Sequence, residues 1–274
     1  MRTNAIRLLL AGALWVGVGA WAVPVPPPLP PELAQSLPLI GVDAAHALGF
    51  TGRGVAVAVI DNFTPHPDDP CDEFAHGAWV SGVLEAVAPG AEVHRVDVPL
   101  DVAREDHTRC FGFSADALIV GLNEALRNAA RWNLKVINYS IGGGRFEAPC
   151  DGEGGTIAAL IRQLVERGVV FVTAAGNQGF TDALGFPECM PETISVGAVY
   201  DHDGGAPEQS RVCSDTPALD RVACYSNSAY FLDLLAPGSR IAVNRRLVGI
   251  GSAAAAPHVA GTVALMLQAA PELT

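Results

Sequence analysis

Basic residues are scarce in this 274-residue chain: 17 lysines and arginines stand against 29 aspartates and glutamates, a formal net charge of −12. Nothing in it resembles the basic stripe of a nucleic-acid-binding surface, so nucleic acid is excluded as a partner. The acidic excess reads first as a solvated surface, although it also suits basic peptides or calcium. Charge of either sign is low, at 17%, while 50% of the residues are hydrophobic, a balance that excludes disorder. A membrane-spanning helix needs ~20 apolar residues, and the amino-terminal run from Leu8 to Ala20 is short of that. Arg2 and Arg7 flank its start and Ala20-Trp21-Ala22 supplies an A-x-A cleavage site, so residues 1–22 read as a signal peptide. Its removal leaves no stable membrane anchor and points to a secreted or periplasmic protein. Val23 to Pro31 is Pro-rich, and residues 23–39 read as an extended linker. Residues 40–274 remain, enough for one large core.

What is present alternates strand and helix. Val55 to Ile60 is a β-branched apolar run, as expected of a buried parallel strand, with Asp61 at its carboxyl end. Ser114 caps a helix with Asp116 in its first turn and Leu118, Leu122, Ala125, Leu126 and Ala129 on one face. That helix feeds the strand Val136-Ile137-Asn138. Thr156 to Arg167 repeats the pattern and delivers the strand Val170 to Ala174. A last helix, from about Ala253 to Ala269, is apolar all round and belongs in a core. The fold class that follows is α/β, a three-layer arrangement of a mainly parallel sheet with helices on both faces.

Four short motifs carry the chemistry. Gly251 to Gly261, with Pro257-His258-Val259-Ala260-Gly261 fixing its register, resembles the nucleophile motif of the subtilisin family of serine peptidases. His76-Gly77-Ala78-Trp79-Val80-Ser81-Gly82 is similar to the family's histidine motif, whose glycines allow close helix–sheet packing. Ala174-Ala175-Gly176-Asn177 is similar to its oxyanion segment, and Asn138-Tyr139-Ser140-Ile141-Gly142-Gly143 to its substrate-binding strand. Taken singly, Asp61 reads as a turn former, His76 as a surface histidine and Asn177-Gln178-Gly179 as a turn. Their joint order, carboxylate then imidazole then nucleophile position, is that of subtilisin.

The resemblance implies roles. Asp61 would orient His76, His76 would act as base, and Asn177 would donate to the oxyanion. Ser140, Ile141 and Gly142 would form an exposed strand that pairs with peptide backbone. The nucleophile falls on Ala253, whose methyl group cannot attack a carbonyl. Ser252 lies ~100° round the helix from that position and reads as a cap instead. Three further features depart from the family: Asn62-Phe63 follow the carboxylate, only 15 positions separate Asp61 from His76, and the chain stops at Thr274 where relatives usually continue. Truncation or a naturally short member is the reading of the last. There is also no room between Ala22 and Ile40 for the folded pro-region many relatives carry.

Six cysteines in an exported chain imply disulfides, and six allow 15 pairings. Sequence does not choose among them; Cys213 with Cys224, near in sequence, is the first guess, with Cys71–Cys110 and Cys150–Cys189 as the guess for the rest. His66, Asp68, Asp69, Cys71, Asp72 and His76 resemble a list of metal ligands, but their spacing enforces no tetrahedral site. No metal is assigned, and no cofactor is expected, with calcium left open. The function read is therefore a subtilisin-like serine endopeptidase, inactive as written, acting as a monomer on a polypeptide substrate. The competing readings are a natural secreted pseudopeptidase that holds an extended peptide, and a purely structural extracellular protein.

Overall fold

The computed structural model describes residues 33–64, 76–98, 114–152, 155–243 and 248–273. The signal peptide, the pair Cys71–Cys110 and the His66–Asp72 cluster lie outside them. In chain order the elements are α1 (Ser36–Leu39), α2 (Val42–Ala47), β1 (Ala56–Asp61), α3 (His76–Val87), β2 (Glu92–Asp97), α4 (Ala115–Trp132), β3 (Leu134–Tyr139), β4 (Gly143–Phe146) and α5 (Gly155–Val165). There follow β5 (Val170–Ala174), β6 (Leu184–Phe186), β7 (Ile194–Val199), β8 (Glu208–Gln209), β9 (Ser214–Asp215), β10 (Leu234–Pro237), β11 (Ile241–Ala242), β12 (Val248–Gly249) and α6 (Ser252–Ala269).

Six strands form one parallel sheet in the order β10-β7-β5-β3-β1-β2. Strand β1 shows why its sequence is uniformly apolar. Val57 and Val59 join the core under α3 and α6, while Ala58 and Ile60 join the core under α4 and α5. A strand covered on both faces has no solvent side to mark by alternation. Strand β2, at the edge, is mostly exposed or half-buried. The expected three-layer α/β fold is thus observed.

Helix α4 starts as its sequence indicates: Ser114 Oγ accepts the Ala117 N–H at 3.3 Å. Helix α6 runs under the sheet, with Ala253 to His258, Ala260, Gly261 and Ala264 all buried. Two of the expected disulfides are formed, Cys150–Cys189 and Cys213–Cys224.

Three expectations need correction. Leu33 and Leu37, inside the expected linker, are core residues, so the packed chain starts before Ile40. Gly77 and Gly82 serve close packing, but against loops: Gly77 meets Asn62 and Phe63, and Gly82 meets Val243. Ser140 to Gly142 is not an exposed strand. It leaves β3 outside any ladder among the described residues, with Ser140 and Ile141 buried.

Strand order changes direction between β1 and β3, since the chain goes outward to β2 and then returns to the other side of β1. Such a reversal opens a crevice at the carboxyl ends of the two strands. Asp61 ends β1, and Ser140 follows the end of β3.

Candidate active site

Asp61 is fully buried. Its Oδ1 accepts the Asn62 N–H at 2.7 Å and lies 2.7 Å from His76 Nδ1. A carboxylate oxygen can only accept, so Nδ1 carries the proton of that bond. The other oxygen, Oδ2, has no hydrogen-bond partner among the described residues. His76 opens α3, and Gly77 fixes it there. The Gly77 N–H donates to the Asn62 carbonyl at 2.7 Å, and a Cβ at Gly77 would lie 2.7 Å from that oxygen and 2.9 Å from the Phe63 ring. The helix bearing the imidazole is therefore pinned to the chain that has just left the carboxylate. Trp79 closes the other side: its ring stands edge-on to His76, with centroids 5.8 Å apart, and its N–H donates to the Ile241 carbonyl at 3.0 Å.

Asn177 follows β5 by way of Gly176, whose φ of +97° suits glycine. A Cβ at Gly176 would overlap the amide of Asn227. That asparagine clamps the loop: its Oδ1 accepts N–H groups of Gln178 and Phe180 at 3.0 and 3.1 Å, and its Nδ2 donates to the Ala175 carbonyl at 2.9 Å.

Ser252 does something other than cap. The cap position is Gly251, and no side-chain cap is formed. Instead the Ser252 N–H and hydroxyl both donate to Asn177 Oδ1, at 2.8 and 3.0 Å, while its Oγ accepts the Gly176 N–H at 3.0 Å. With Oδ1 held by two donors, the amide cannot flip without losing both, and Nδ2 keeps its donor role. Gly251 makes this fit possible, having φ +143° and room for a Cβ only 2.9 Å from Asn177 Nδ2.

These segments meet at one cavity of about 210 Å³, lined by His76, Trp79, Ser140, Ile141, Gly142, Asn177, Glu188, Ser252 and Ala253. Of the residues to which the family resemblance gives roles, Asp61 alone is absent from its wall, standing behind His76. Ala253, the second residue of α6, brings a buried methyl group to the cavity and no reactive atom. The arrangement holds an oriented imidazole and a fixed amide around the Ala253 methyl group. Among the described residues no group of three or more His, Cys, Asp or Glu side chains is placed to hold a metal.

Sequence reasoning missed Trp79, Asn227 and Glu188. Glu188 is buried in the cavity wall, and loss of water around it pushes its carboxyl up to about 8. Asn227 could have been found within the family-like Tyr225-Ser226-Asn227, whereas nothing local marks Glu188.

The family model described as "Subtilase family" matches residues 54–274. Subtilisin E of Bacillus subtilis (strain 168) is 31% identical, over 89% of this chain and 64% of its own length, so the chain spans less than two thirds of that relative. The subtilisin of Bacillus pumilus is 30% identical over 88% of either chain. Among solved structures, a prenylagaramide maturation protease matches with a TM-score of 0.62 at 20% identity, over 83% of this chain and 80% of its own. A cold-adapted subtilisin-like serine proteinase matches with a TM-score of 0.57 at 24% identity, over 82% and 79%. At those identities the structural likeness speaks for the fold alone. With the family pattern running from the residues before β1 through the end of α6, the chain belongs to the subtilase family.

Proposed function

We propose that the cavity is the substrate cleft of a subtilisin-type serine endopeptidase that lacks its nucleophile as written, and that it holds an extended polypeptide without cleaving it. The observation that carries this reading is the meeting of the Asp61–His76 pair, Asn177 and Ala253 around one cavity.

Each residue has a role in that chemistry. Asp61 fixes the tautomer of His76 and stabilises the imidazolium that forms when Nε2 takes a proton. Position 253 lies in the first turn of α6, where the positive end of the helix dipole favours developing negative charge. Asn177 Nδ2 donates to the carbonyl oxygen as it becomes an oxyanion, a contact worth roughly 3–4 kcal/mol. The segment Ser140 to Gly142, outside any ladder among the described residues, supplies backbone groups for a peptide strand.

Without a hydroxyl at position 253, turnover falls by about 10⁶-fold while binding is spared. The same cleft serves a chain whose serine was replaced and a secreted pseudopeptidase that never had one. The two disulfides support export to an oxidising compartment, outside the cell or in the periplasm, and the reading includes a monomer. The test is hydrolysis of denatured casein by the purified chain and its Ala253→Ser variant. The unaltered chain should be silent and the variant active, with activity abolished again by His76→Ala. A folded Ala253→Ser variant with no activity would refute the assignment of these roles.

A further inference from the structure

Glu188 has no structural reason to be where it is. The residue is 3% exposed, its Oε2 has no hydrogen-bond partner, and no ion pair reaches it among the described residues. A buried carboxylate is ordinarily paired, because removing its water is costly. Here the surroundings have made room for the carboxylate and given it no cation. Gly142 and Gly185 face it from two directions: a Cβ at Gly142 would overlap the carboxylate, and one at Gly185 would lie 3.2 Å from Oε2. Its backbone is held by a tight turn, with Cys189 N–H donating to the Gly185 carbonyl at 2.9 Å and Met190 N–H to that of Pro187 at 3.0 Å. The Cys150–Cys189 disulfide ties that turn to the loop beyond β4. Among the described residues its own backbone N–H is the one donor that reaches the carboxylate, so Glu188 is a fixed acceptor with one oxygen still open, in the wall of the cavity that also holds His76, Asn177 and Ala253.

We propose that Glu188 sets the specificity of the cleft by receiving the guanidinium or ammonium group of an arginine or lysine in the bound peptide, at the residue whose carbonyl lies against Asn177. This rests on the peptide-cleft reading above. The partner the fold withholds then arrives with the ligand, and two carboxylate oxygens match a guanidinium fork. The net charge of −12 adds a general attraction for basic chains. Buried in this wall, a charge-assisted pair separates cationic from neutral ligands by roughly tenfold to a hundredfold.

The unaltered chain suits the test, since it is expected to bind without cleaving. Fluorescein-labelled hexapeptides differing at one residue (arginine, lysine, citrulline, leucine, phenylalanine or glutamate) are titrated by fluorescence anisotropy at pH 8.5, with the chain and with Glu188→Gln. Arginine should bind at least tenfold tighter than citrulline, which has its shape but no charge, and Glu188→Gln should erase that ratio. The citrulline comparison alone decides the matter if the variant does not fold. Leucine or phenylalanine binding as tightly as arginine would overturn the inference and leave the cleft reading standing. So would an arginine preference that persists in folded Glu188→Gln. Binding of no peptide in the set would overturn both.

Discussion

Replacing Glu188 by glutamine should change how stability depends on pH, and the size of the change follows from its burial. In an unfolded chain this carboxyl ionises near 4.5, and in the fold it holds its proton up to about 8. Between those values the unfolded state is ionised and the folded state is not. Stability therefore falls as pH rises, by 1.36 kcal/mol per unit, or about 5 kcal/mol across the window, and levels off above it. Tyr139 is the titratable neighbour, and with its own pKa raised well above 10 it stays neutral throughout. A second buried group works in the opposite sense. His258, enclosed in α6 with Nδ1 at 2.8 Å from the Ala254 carbonyl and Nε2 at 3.3 Å from Ser36 Oγ, is lowered from 6.5 to about 4. It stabilises the fold increasingly from pH 4 to 6.5, by about 3 kcal/mol. The two nearly cancel up to pH 6.5, and Glu188 acts alone from there to pH 8, where its contribution falls by about 2 kcal/mol. Urea denaturation of the chain and of Glu188→Gln at pH 5, 6.5 and 8 isolates it, because every other group is common to both. The difference between them should move by about 2 kcal/mol in favour of the variant from pH 6.5 to 8. A difference independent of pH would refute the reasoning.

Two other changes test the frame of the site. Gly251→Ala forces a side chain into φ +143° and to within 2.9 Å of Asn177 Nδ2. It should lower stability by roughly 1–3 kcal/mol in thermal melts. In an Ala253→Ser background, Ser252→Ala removes the hydroxyl that holds Asn177 Oδ1 and accepts the Gly176 N–H. There kcat should fall roughly tenfold or more with KM little changed, since the amide acts on the transition state rather than on bound peptide. A rise in KM alone would argue against that role for Ser252.

Much of this architecture was legible because local and global preferences agree. The β1 run has nowhere to go but the middle of a sheet, and α4 announces its start through Ser114 and its inner face through Leu118 and Leu122. The candidate site residues were legible for a different reason: singly each reads as a turn or surface residue, and only the joint order of four motifs resembling the subtilisin family picks them out. What escaped was set by contacts distant in sequence. Glu188 owes its environment to Gly142 and to the bond of its neighbour Cys189 with Cys150, neither of which a local window includes. Ser252 precedes an apolar helix and so reads as a cap, yet its hydroxyl turns to a loop 75 residues away. Ser140 to Gly142 was expected as an exposed strand on the family resemblance alone, whereas the cavity wall encloses it.

The most direct measurement is reaction of the Ala253→Ser variant with a phosphonofluoridate, followed by intact-mass and peptide mapping, beside the unaltered chain and a variant that also carries His76→Ala. Such a reagent labels a hydroxyl only when an adjacent base activates it. The expected result is one label per chain at position 253 in the variant, and none in the unaltered chain or without His76. A folded, peptide-binding Ala253→Ser chain that takes up no label would contradict the assignment of Asp61, His76 and position 253 to one catalytic unit.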